Sequence, residues 1–77
     1  MNILNMKLII DGGKKNINVE DNKKVAQILE ENGVNYANLA ISVNGQPLSA
    51  SELQMPIANF GVREGSFISC VAHKNNA

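Results

Sequence analysis

The sequence predicts a small α+β domain, a mixed sheet of about five strands covering one central helix in the order β-β-α-β-β-short helix-β. Three observations predict it. Several short stretches alternate apolar and polar residues, the period of a half-buried strand. Two turn signals, Asp11-Gly12-Gly13 and Asn44-Gly45, separate pairs of those stretches. Between the pairs, Val25, Ile28 and Leu29 are spaced i, i+3, i+4, which places one apolar stripe on a helix.

Each element follows from its residues. In Met6 to Ile10, the residues Met6, Leu8 and Ile10 share one face, and Lys7 and Ile9 share the other. The Gly-Gly of the first turn supplies positive φ for a tight hairpin. The return strand runs from about Lys15 to Glu20, with Ile17 and Val19 inward. Asp21 or Asn22 is the expected helix cap, and Gly33 suits the left-handed position past the last of about three turns. A helix this short is marginal in water and must be held by packing.

Leu39 to Val43 is the third strand, with Leu39, Ile41 and Val43 on one face. Gln46 to Leu48 forms a short fourth strand, where Pro47, lacking a donor, suits an edge. Ser49 or Ser51 caps a brief helical turn through Glu52, Leu53 and Gln54 before Pro56 interrupts it. Ile57, Phe60 and Val62 anchor an irregular segment to the core. Ser66 to His73 is the last strand, with Ile68, Cys70 and Ala72 on one face and Phe67, Ser69, Val71 and His73 on the other. The expected core is Leu8, Ile10, Ile17, Val19, Val25, Ile28, Leu29, Ile41, Val43, Leu48, Ile57, Phe60, Val62, Ile68 and Cys70. Residues 1–5 read as an extension, 6–74 as the domain and 75–77 as a polar tail.

Composition narrows the function classes. The chain has 77 residues, so one domain is expected. Seven Lys and Arg balance seven Asp and Glu, which argues against an electrostatic nucleic-acid binder. A hydrophobic fraction of 44% supports a packed core rather than disorder. A domain of this size has little room for an internal substrate cavity, so no small-molecule substrate is expected. No apolar run is long enough to span a membrane, and the first ten residues lack the pattern of a signal peptide, so the expected location is cytoplasmic. The single cysteine, Cys70, has no partner for a disulfide and too few companions for a zinc site, so no metal or cofactor is expected. Gly12-Gly13-Lys14-Lys15 lacks the spacing of a phosphate loop and leads into a strand. Lys14, Lys15, Lys23 and Lys24 are offset by Glu20, Glu30 and Glu31 and read as a solvated charged surface.

Two stretches carry a family resemblance. Leu39-Ala40-Ile41-Ser42-Val43-Asn44-Gly45-Gln46-Pro47-Leu48 resembles the third strand, turn and short fourth strand of ubiquitin. Pro56-Ile57-Ala58-Asn59-Phe60-Gly61-Val62-Arg63-Glu64-Gly65 resembles its "Thr-Leu-Ser-Asp-Tyr-Asn-Ile" loop, with Phe60 at the packed Tyr and Gly61 at the left-handed Asn. The chain from about Met6 to Lys74 is thus similar to the ubiquitin-like β-grasp family, in the manner of a bacterial-type small protein of that class. The resemblance implies a tail closing in Gly-Gly, whose carboxylate is activated for conjugation or sulfur carriage. Here Asn76 and Ala77 stand in those places and no glycine follows Gly65, so the expectation is a protein that is not conjugated.

The resemblance also implies a protein-binding surface on the exposed sheet face. Of its two central apolar places, the last-strand one is Val71 and the third-strand one is Ser42. Strand parity puts Ile9, Phe67 and Val71 on that face, with Ile9 beside Phe67, in a strip flanked by Ser42, Ser69 and His73. Cross-strand apolar pairs also stabilise sheets without any partner, and scattered surface hydrophobes are normal. Cys70, on the inward parity, reads as a small core residue with an inert thiol, and His73 lacks partners for acid-base chemistry. The expected function is a non-enzymatic interaction module, acting through its exposed sheet face or an edge strand, whose partner is another protein or a second copy. The alternatives are a degenerate sulfur carrier or modifier and, more weakly, a nucleic-acid-binding β-grasp protein.

Overall fold

A computed structural model describes residues 2–72. Its elements are β1 (Ile3–Ile10), β2 (Gly13–Glu20), α1 (Val25–Glu31), β3 (Leu39–Val43), β4 (Gln46–Pro47) and β5 (Phe67–Ala72), with single 3₁₀ turns at Tyr36–Asn38, Glu52–Gln54 and Ile57–Phe60. The strands form one sheet in the order β2-β1-β5-β3-β4. Among the described residues only β1 and β5 run parallel, so the two hairpins are joined through the middle of a mixed sheet. Among the described residues, no helix is long and apolar enough to cross a membrane.

Strand β1 starts three residues before the expected position, because Ile3, Leu4 and Asn5 pair with Glu20, Val19 and Asn18. The first hairpin also turns one residue earlier than Gly-Gly suggested. Positive φ falls on Asp11 (49°) and Gly12 (80°), while Gly13 is already in β2 opposite Ile10. Two successive left-handed residues make the type I′ turn that matches strand twist. The second hairpin repeats this at Asn44 (51°) and Gly45 (83°).

The helix is seven residues long, about two turns, not the three expected. Neither Asp21 nor Asn22 caps it; Lys24 holds the cap position without a side-chain bond. One tertiary backbone contact takes the cap's role: Val25 N–H donates to the Met55 carbonyl at 3.1 Å. Two more pin the approach to the helix, Ile57 N–H donating to the Lys23 carbonyl at 2.8 Å and Ala58 N–H to the Asp21 carbonyl at 3.0 Å. The C-terminus agrees closely with the expectation. Gly33 (φ 75°) donates to Glu30, and Val34 N–H to Leu29 at 2.9 Å, the paired bonds of a Schellman motif. That motif turns Val34 back onto the last helical turn, where it is buried.

The core lies between α1 and the inward sheet face. It holds Met6, Leu8, Ile17, Val19, Val25, Ala26, Ile28, Leu29, Val34, Ile41, Val43, Leu53, Ile57, Ile68 and Cys70. Ile10, Leu48, Phe60 and Val62, expected inside, are only partly buried against it. Ile10 adjoins the hairpin turn, whereas Met6, mid-strand opposite Ile17, is fully enclosed. Leu53 enters because its 3₁₀ turn packs on α1. That turn is held by a reciprocal box: Ser49 N–H donates to Glu52 Oε1 at 2.8 Å, and Glu52 N–H to Ser49 Oγ at 3.3 Å.

Candidate interaction face

The sheet face turned away from α1 is assembled by strand parity and register. Opposite Ile9 on β1 stands Ser69 of β5, and opposite Ser69 on β3 stands Ser42, followed by Pro47 on β4. On the other side Ile9 faces Lys14 of β2. The next row runs Asn16, Lys7, Phe67. Val71 faces Ala40.

This register corrects one expectation. Ile9 and Phe67 are not direct neighbours, because β5 runs parallel to β1 with Phe67 opposite Lys7. Phe67 and Val71 lie diagonally about Ile9, and Ser69 sits among the three. The arrangement is therefore a hydroxyl pair, Ser42 and Ser69, ringed by three apolar groups. Ile9, Phe67, Ser42 and Ser69 are half-buried, while Val71 is 56% exposed. His73 lies outside the described residues. Lys7, Lys14 and Asn16 also belong to this face, and the strand pattern alone did not single them out. Lys7 and Ile9 already shared a parity, but the hairpin register was needed to align β2 with them.

Lys7 Nζ donates to Asn16 Oδ1 at 3.3 Å. The ion pair found among the described residues, Lys23 with Glu31 at 2.7 Å, belongs to the helix side. The face thus presents cations and apolar groups together, with Glu20 only at the far end of β2, opposite Ile3.

Phe67 is held in place by a polar clasp. Its N–H donates to Asn44 Oδ1 at 3.1 Å, and its carbonyl accepts from Asn44 N–H at 2.9 Å. Asn44 Nδ2 donates to Ser66 Oγ at 3.1 Å, which also accepts from Arg63 N–H at 2.8 Å. Asn5 N–H donates to Glu64 Oε1 at 2.7 Å, and Gly65 N–H to the Asn5 carbonyl at 2.9 Å. The second hairpin turn, the loop before β5 and strand β1 are thereby tied together, which fixes where β5 enters the sheet.

Cys70 is 1% exposed, on the core side. Burial, and secondarily the Asp11 carboxylate, push its thiol above the ordinary value of 9.0, so it stays protonated at neutral pH and is a poor nucleophile. A separate apolar groove of about 450 Å³ lies between β3 and the β4 side, lined by residues including Tyr36, Leu39, Leu48 and Leu53.

No family model matches the sequence, and no curated protein matches it. Solved structures share its fold. The ubiquitin-like domain of an Arabidopsis thaliana protein aligns with TM-score 0.78 at 11% identity, over 100% of this chain and 84% of that one. The UBL domain of yeast Ddi1 gives 0.76 at 10% identity, over 97% and 94%. Caldiarchaeum subterraneum ubiquitin gives 0.71 at 12% identity, over 99% and 100%. The fold is the ubiquitin-like β-grasp. At these identities the likeness establishes the fold and leaves function to the site.

Proposed function

We infer that this protein is a non-enzymatic docking module, acting in the cytoplasm, whose outer sheet face binds an acidic, amphipathic segment of another protein. The observation that carries the reading is the composition of that face: Ile9, Phe67 and Val71 around Ser42 and Ser69, with Lys7 and Lys14 alongside. Apolar groups next to cations suit a partner that offers an apolar stripe flanked by carboxylates. Binding is favoured over chemistry because the cysteine thiol is sealed in the core.

The test is backbone amide NMR during titration with an acidic amphipathic helical peptide. The expected shifts cluster at Ile9, Ser42, Phe67, Ser69 and Val71, weaken with salt, and shrink in Val71→Asp. Shifts confined to α1, or none, would overturn the reading. Affinity capture from the native cell should likewise lose its specific partner when Phe67→Ser replaces the wild type.

A further inference from the structure

Among the described residues, strand β2 is the longer of the two sheet edges, eight residues with one neighbour only. The backbone directions along it are set by the hairpin. A two-residue turn closes on a hydrogen-bonded pair, here Ile10 and Gly13, and such pairs then recur at every second residue. Asp21 N–H, which donates to the Asn2 carbonyl at 2.9 Å, obeys the same alternation. Odd-numbered residues of β2 are therefore bonded to β1. The N–H groups of Lys14, Asn16, Asn18 and Glu20 point to the open edge, as do the carbonyls of the first three. The Glu20 carbonyl accepts from Lys23 N–H at 3.1 Å.

The side chains of those same four residues lie on the outer face, in the order cation, amide, amide, carboxylate. This order is self-complementary under a two-fold axis through Ile17. Antiparallel pairing of two copies in that register sets Lys14 opposite Glu20 of the other copy, twice, and Asn16 opposite Asn18, twice. It also makes the bonded pairs coincide with the residues whose backbone groups are free. A two-residue slip either way loses both ion pairs, setting Lys14 opposite Asn18 or Asn16 opposite Glu20. Lysines on an edge normally discourage pairing, but here each Lys14 meets a carboxylate. Asn5 Nδ2 already donates to Asn18 Oδ1 at 3.2 Å, and Lys7 to Asn16, so the amide row would continue across both sheets.

We propose that β2 is a homodimerisation edge, joining two copies into one continuous antiparallel sheet with Ile17 on the two-fold axis and Lys14–Glu20 pairs at both ends. It does not rest on the docking role of the outer face, although it would place two such faces side by side. A single strand from each copy makes the contact, so the dimer is a weak one.

Sedimentation equilibrium up to about 1 mM, the weak end of measurable association, tests it. Wild type should dimerise and weaken as salt rises. Lys14→Glu and Glu20→Lys, each setting like charges across the edge, should raise the dissociation constant about tenfold. The double exchange of both residues should restore the wild-type value. Asn16→Pro removes an edge-facing N–H without touching the β1 ladder, so it should give a folded monomer, checked by circular dichroism. A wild type that stays monomeric, single variants that associate unchanged, or a double exchange that fails to recover overturns the proposal.

Discussion

The two hairpins use the same turn and end differently. Asp11-Gly12 and Asn44-Gly45 both place two successive residues at positive φ. The first leads into eight cross-strand pairs, the second into two. The residues on the far side of each turn decide the difference. After Gly12 the chain alternates through Val19, whereas after Gly45 it meets Pro47 and then the Ser49–Glu52 box, which commits it to a helical turn. The turns also differ in reach. The Asn44 side chain binds both Ser66 and Phe67, while the Asp11 carboxylate acts only at a distance, on the Cys70 thiol. A turn residue can thus be a local device or a tertiary anchor, and the short hairpin is the one that needs the anchor.

Breaking the anchor should have the largest effect. Asn44→Ala loses two side-chain hydrogen bonds and puts a methyl group at positive φ, and should cost about 2–3 kcal/mol in urea unfolding. Asp11→Ala loses only the backbone preference and should cost about 1 kcal/mol, which sets the comparison as a ratio. If the two costs prove equal, the clasp contributes nothing. Ser49→Ala removes half of the box that cuts β4 short, and should cost about 1 kcal/mol by the same measurement. Pro47→Thr should change stability by less than about 0.5 kcal/mol, because the N of residue 47 faces away from β3.

The smallest effect separates charge from turn geometry. Asp11→Asn keeps a residue tolerant of positive φ and should leave stability within about 0.5 kcal/mol. Burial is the larger cause of the raised Cys70 pKa and Asp11 the lesser, so the native thiol should become only slightly more reactive toward a thiol reagent. Because the folded thiol is raised above 9.0, its contribution to stability is complete below that pH. It should decline as pH rises through the folded value, an alkaline loss that Cys70→Ala removes.

The candidate face shows where the strand pattern stops being informative. Parity alone placed Ile9, Phe67 and Val71 on one side of the sheet, because alternation is a local property of each strand. It could not supply the stagger between β1 and β5, two strands far apart in sequence and parallel, so Ser69 rather than Phe67 came to lie beside Ile9. Lys14 and Asn16 joined the face only through the β1–β2 register, which depended on the turn falling at Asp11-Gly12.

The amino-acid order by itself determined the element types, the second turn at Asn44-Gly45, the end of α1 at Gly33 and most of the core. Each of these rests on periodicity or on the backbone freedom of one or two adjacent residues. Tertiary structure alone decided the start of α1, where the Met55 carbonyl accepts from Val25 N–H in place of a side-chain cap. It likewise decided the burial of Leu53 and the alignment of the central parallel pair. Those features depend on partners brought together by chain reversal, and the free energy that selects them comes from packing the whole core at once.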